Sequence, residues 1–301
     1  MREEAKKSKG ITPRDAEEKE LMATSNIVKQ NVVSRGEWLD ARKRLLAFEK
    51  EFTRAHDALA ATRRQLPWVR IEKTYKFESP CGTETLSDLF DGRSQLIIRH
   101  FMFGPGWKEG CVGCSFASDH VDGALVHLEH HDVSYVAVSR APWQEIEAFR
   151  KRMGWRFKWV SSLASDFNYD FHVSFRPEEA ETGKANYNYA QSDFLSPEMS
   201  GLSVFYKDES GEIFHTYSTY GRGDEGGLTT YFYLDLTPKG RNETVRGNLS
   251  DWVRHHDRYE AGGHVDHRGR YLAGETAAKC CEEAETKSDV QNGNSSGRKK
   301  V

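Results

Sequence analysis

The sequence predicts an α/β fold: a three-layer sandwich about a central mixed sheet, with an N-terminal helical extension and a disordered tail. Three observations point there. Two continuous apolar runs of strand length, Leu96 to Phe103 and Val133 to Ser139, read as strands buried on both faces. Each is followed by residues at helical spacing. A strong antiparallel hairpin pattern then closes the order strand, helix, strand, helix, hairpin, helix.

Residues 1–30 read as a polar leader, largely disordered, and 31–66 as a helix. Ser34 is placed to cap it, with Glu37 three residues later completing a capping box. Trp38, Leu45, Phe48, Phe52 and Leu59 share one broad face, and Pro67 ends the element. The folded domain is expected over 67–260. It opens with a short hairpin, YKFES then PCGTETL, and a helical turn at LSDLF. After the strand run comes the glycine-rich break GPGWKEG, then Cys111, and a helix whose apolar positions are Ala117, Val121, Leu125 and Leu128. A second helix opens near Pro142, turns Ile146, Phe149 and Met153 inward, and stops at Gly154. LSVFYKD and EIFHTYSTY flank a turn at Glu209-Ser210-Gly211. LTTYFYLDL fits either element by spacing; topology assigns it to helix. Residues 261–301 read as a low-complexity tail, too poor in apolar residues to order itself.

With 37% hydrophobic and 30% charged residues and a formal net charge of −3, nothing argues for a nucleic-acid or membrane surface. The first thirty residues are charged throughout, without a signal-peptide core, and no window approaches the roughly 18 apolar residues of a membrane span. An odd count of five cysteines is a poor disulfide framework, so the expectation is reduced thiols in a cytoplasmic protein.

The chemistry concentrates in Cys111-Val112-Gly113-Cys114. At the first turn of a helix, unpaired N–H groups and the positive dipole end stabilise a thiolate. The first cysteine is then expected to be the more exposed, lower-pKa sulfur, and the second to sit one turn inward. Cys111 fits the attacking role and Cys114 the resolving role. Lys108 is placed to add positive charge and Trp107 to offer a flat apolar wall. Gly110, with Gly104 and Gly106, lets the loop turn tightly after the strand. The competing account is two unrelated buried thiols, since cysteine packs as a small hydrophobe.

Cys111, Cys114, His127 and His131 also obey C-x2-C-x12-H-x3-H, the spacing of a zinc finger. Context opposes it: one helix is expected to run from the cysteines through His127, about four turns away, between buried strands. No metal is expected. His127, His130 and His131 suit a helix C-terminus. His100 reads as a satisfied core residue and His255-His256-Asp257 as surface pairing. Cys81, Cys280 and Cys281 receive no role, and no phosphate loop or G-x-S-x-G elbow appears.

RHFMFGPGWKEGCVGCSF, HDVSYVAVSRAPWQEIEAFRKRMGWRFKWVSS, DFNYDF, YLDLTPKGR and WVRHHDRY resemble the thioredoxin-like family known as domain of unknown function 899, over about Val32 to Tyr259. The resemblance implies a thioredoxin-like fold and a dithiol-disulfide oxidoreductase whose redox pair is Cys111 and Cys114. The layout is also similar to peroxiredoxins and related redoxins. Two departures stand out. Val112-Gly113 replaces the Gly-Pro of thioredoxins, and the position near Leu202, where they carry a cis-proline, has none. The peroxiredoxin pattern P-x-x-x-T-x-x-C also fails, since counting from Pro105 reaches Glu109 and Val112.

Three functions stay open: thiol-disulfide exchange with an external thiol reductant and no bound cofactor; thiol peroxidase chemistry through the same cysteines; and a non-catalytic scaffold that binds partners through the long N-terminal helix.

Overall fold

The computed structural model describes residues 31–241, 252–261, 263–266 and 270–272. The expectations for 1–30, for the end of the tail and for Cys280 and Cys281 fall outside them. Two compact units form, one from the described residues of 31–64 and 230–241, the other from those of 65–229 and 252–272.

In the first unit, α1 (Arg35–Arg63) begins as its capping box requires. Ser34 Oγ accepts from the Glu37 N–H at 3.3 Å and the Ser34 N–H donates to Glu37 Oε2 at 2.9 Å. None of its residues is buried.

The second unit is built on an eight-stranded sheet. Its strands are β1 (Val69–Arg70), β2 (Lys76–Ser79), β3 (Gly82–Thr85), β4 (Gln95–His100), β5 (Val133–Ser139), β6 (Lys158–Ser161), β9 (Gly201–Lys207) and β10 (Ile213–Tyr220), in the spatial order β1-β10-β9-β4-β5-β6-β2-β3. Between them come α2 (Val112–Asp119), α3 (Leu125–His130), α4 (Trp143–Met153), α5 (Phe167–Asp170), α6 (Pro177–Thr182) and a separate hairpin of β7 (Lys184–Tyr187) and β8 (Ala190–Asp193). In the first unit apart from its first residue, α7 (Thr229–Asp235) confirms the helical assignment of LTTYFYLDL. β4 and β5 are parallel and lie at the centre, while β9 and β10 run antiparallel on the far side of β4. This β-α-β-α-β-β order, with the spatial sequence β10-β9-β4-β5, is the thioredoxin-like arrangement.

The sheet separates two cores. Leu96, Ile98 and Phe205 face one with Phe167 and Phe171; Phe101, Ala137 and Trp159 face the other with Phe103, Phe149, Cys111 and Cys114. Alternation along β4 sets which residues go where.

Two expectations are corrected, and one strand is new. β4 ends at His100, and Phe101 to Phe103 continue out of the ladder toward the cysteine loop. The helix expected from Ala117 begins at Val112 and ends at Asp119; a run of turns through Gly123 separates it from α3, so no single helix joins the cysteines to His127. β6 was not foreseen, because Lys158-Trp159-Val160-Ser161 is too short and too polar to stand out as a strand. Within the segment read as tail, β11 (His264–Val265) pairs with β12 (Tyr271–Leu272).

Candidate functional site

The dithiol sits where the central strand delivers it. After β4 the chain leaves at Met102 and returns at Cys111, whose N–H donates to the Met102 carbonyl at 2.9 Å. The Met102 N–H in turn donates to Cys114 Sγ at 3.5 Å. The two ends of residues 103–110 are thus pinned to each other and to the second sulfur. Cys111 is the N-cap of α2, and its carbonyl accepts from the Ser115 N–H at 3.0 Å. The N–H groups of Gly113 and Cys114 turn toward its sulfur without closing a full cap bond.

Both thiols are buried, Cys111 at 4% exposure and Cys114 at 3%. The expected difference in exposure between the two sulfurs is therefore slight, since both pack in one core with Phe101, Phe103 and Phe149, against which Trp107 rests. The electronic asymmetry is the expected one. A hydrogen bond from Cys114 lowers the Cys111 thiol against the opposing effect of burial, with further help from the two backbone N–H groups and Arg99. Donating that bond, burial and the neighbouring Cys111 charge push Cys114 well up.

The cation that lowers the Cys111 thiol is Arg99, while Lys108, expected in that role, is exposed. Arg99 projects from β4 into the dithiol face, 5% exposed. It pairs with Asp224 in the turn after β10. Burial disfavours its charge, but Asp224, Tyr135 and Cys114 favour it more strongly.

The residues expected to support the site do so differently. Gly110 leaves no room for a side chain, since a Cβ there would lie 2.6 Å from Phe101 and 2.9 Å from Phe149. Trp107 and Lys108 border a surface cavity of about 550 Å³ with Phe103, Phe149, Glu145 and Arg152. Gly104 packs against Glu198, whose carboxyl accepts from Ser174 Oγ and pairs with Arg140 at 3.0 Å. Burial raises Glu198 to about 7 despite those two partners.

A second buried group was misread. His255 is fully buried, and its Nε2 donates to the Gly110 carbonyl at 2.9 Å. Its Nδ1 lies 3.3 Å from Glu109, which also binds Arg152 at 3.0 Å and Arg258. Burial would raise the Glu109 carboxyl, but His255, Arg152 and Arg258 outweigh it and hold it low. His256 and Asp257 do make outer pairings, with Asp119 at 2.8 Å and Arg152 at 2.7 Å. His100 is a core residue as expected but only half satisfied: Nε2 is 2.7 Å from Ser203 Oγ on the opposite face while Nδ1 is buried without a partner among the described residues, and burial, with Arg99 and His215, lowers it to about 3.

Among the described residues no helix is long and apolar enough to cross a membrane. The chain is similar in structure to PrxQ of Xylella fastidiosa, with 15% identity, 53% of this chain and 89% of that one covered, and a TM-score of 0.34. It is similar also to peroxidoxin BcpB of Mycobacterium tuberculosis, with 12% identity, 55% and 95% covered, and a TM-score of 0.35. A protein described as thiol:disulfide interchange protein DsbE, from Chlorobium tepidum, matches with 12% identity, 58% and 99% covered, and a TM-score of 0.35. No curated protein sequence matches. The profile of the family described as bacterial protein of unknown function (DUF899) matches residues 27–259, from α1 through both cysteines to His255, and the chain belongs to that family.

Proposed function

We propose that this protein is a thiol-disulfide oxidoreductase. The observation that carries the reading is the placement of Cys111 as the N-cap of α2 with Cys114 one turn on, both beside buried Arg99. The Cys111 thiolate attacks one sulfur of a substrate disulfide, forming a mixed disulfide and expelling the other sulfur as a thiolate, which takes a proton. Cys114 then loses its proton and attacks Cys111 Sγ. That closes the Cys111–Cys114 disulfide and releases the second substrate thiolate. An external thiol supplies the two electrons that reopen it, with no resident cofactor. The depressed Cys111 and elevated Cys114 suit this order, because the resolver stays a thiol until the mixed disulfide relieves the neighbouring charge. Trp107 and Lys108, on the rim of the adjacent cavity, would receive the substrate.

The test is the reduction potential of the pair, in protein lacking Cys81, Cys280 and Cys281. Equilibration against glutathione mixtures, read by mass after alkylation, should give a reversible two-electron couple between about −120 and −270 mV. No disulfide under any mixture would overturn the proposal.

The burial of Cys111 favours a second reading, thiol peroxidase, since a small peroxide reaches a closed pocket more readily than a protein disulfide does. The thiolate would attack the peroxide oxygen, forming a sulfenic acid and releasing an alcohol. Condensation with Cys114 would give the same disulfide and water. Catalytic peroxide consumption, with Cys111→Ser inactive and Cys114→Ser stalled at the sulfenic acid, would select it.

A further inference from the structure

α1 carries a pattern that neither redox reading uses. Trp38, Leu45, Phe52 and Leu59 recur at strict seven-residue intervals, and Ala41, Phe48, Ala55 and Thr62 follow each by three. These are the a and d positions of four heptads, the length at which such a repeat specifies a coiled coil rather than a helix face. An isolated straight helix drifts about 20° per heptad from such a seam, so only supercoiling about a partner keeps it in contact. The large seam residues are uncovered: Trp38, Leu45, Phe48, Phe52 and Leu59 are 46, 52, 68, 74 and 49% exposed.

The flanking charges name the partner. In a parallel pair, each g residue faces the e residue five positions on in the other helix. Here that sets Glu37 against Arg42, Arg44 against Glu49 and Glu51 against His56, while Ala58 opposite Arg63 is neutral. Glu37 with Arg42 and Arg44 with Glu49 are complementary, and Glu51 meets no acidic residue, when the second helix is another copy of the same sequence. Turning one copy round, with the seam fully overlapped, brings Glu51 against Glu51 and Glu49 against Glu49 instead. In the single chain Arg42 and Glu49 pair along the helix at 2.9 Å, an exposed contact that is cheaply exchanged.

We infer that α1 is a dimerisation helix, pairing in parallel with α1 of a second copy of this chain.

Sedimentation equilibrium of the full chain tests this. The expected mass is twice the 34.4 kDa of one chain, and Leu45→Glu should return it to one, with helix content retained by circular dichroism. Arg44→Glu and Glu49→Arg should each weaken the homodimer at least about tenfold, a change of about 1.4 kcal/mol. Mixed in equal amounts, these two variants should form a heterodimer, because each then meets the opposite charge. A monomeric wild type, or a dimer indifferent to Leu45→Glu, would overturn the inference. Failure of the mixture to pair would overturn the parallel arrangement.

Discussion

His255 Nε2 donates to the carbonyl oxygen of Gly110 at 2.9 Å, tying the residue just before the dithiol to one 145 positions later. With the carbonyl as acceptor, Nε2 must carry the proton. The C-terminal segment thereby fixes the entry to Cys111, with Glu109, Arg152 and Arg258 around the same imidazole.

His255→Ala should therefore cost about 2 kcal/mol of unfolding free energy, by stranding a buried carbonyl, and should loosen the loop. Urea denaturation reads the first effect and the rate of Cys111 alkylation the second. Equal alkylation rates in variant and wild type would show that the loop does not depend on this contact.

Arg99→Met should raise the Cys111 thiol, by removing the buried cation beside both sulfurs. It should also destabilise the fold by about 3 kcal/mol or more, because Asp224 loses its partner in a buried site. Lys108→Ala should leave the thiol where it is. Thiolate absorbance followed through a pH titration separates the two variants, and a Lys108→Ala shift as large as that of Arg99→Met would contradict the assignment.

Glu198 predicts a pH dependence. Its carboxyl is raised from 4.5 to about 7 in the folded chain, so the native state holds a proton that the unfolded state has released. Its contribution to stability is full below about pH 4.5 and is lost as pH rises through about 7, a change on the order of 3 kcal/mol. Glu198→Gln should remove that decline. Denaturation midpoints at matched ionic strength across this range measure it, and identical slopes in the two proteins would rule out the buried proton.

Gly110→Ala should cost about 1–3 kcal/mol, since the added methyl meets Phe101 and Phe149 and one ring must move. Thermal unfolding checks this. A fully stable variant would mean that both rings relax freely.

Local signals served the sequence reading well where local physics decides. The Ser34–Glu37 box, the β9–β10 hairpin, the helix stop at Gly154 and the dithiol at a helix N-terminus all follow from short-range geometry. The surroundings of the sulfurs did not show, because their members come from remote parts of the chain. Arg99 was hidden in an apolar run; a charge inside a central strand demands a partner, but Asp224 lies 125 residues away. His255 and His256 look alike in sequence, yet one is fully buried and the other exposed. The near-equal burial of the two sulfurs has a similar origin: Phe149 comes from α4 into the same core.

The hydrogen bond between the Met102 carbonyl and the Cys111 N–H separates two design problems. Of the eight residues inside that clasp, Phe103 packs in the core of the thiols and Glu109 and Gly110 are held by His255, which leaves Gly104 to Lys108 as a detour whose ends are already joined. Doubling the length of such a detour costs only about 0.6 kcal/mol of closure entropy. Related chains can thus lengthen or rewrite the wall around Trp107 and Lys108, changing what is admitted, while inheriting the same pair of thiols at an unchanged position.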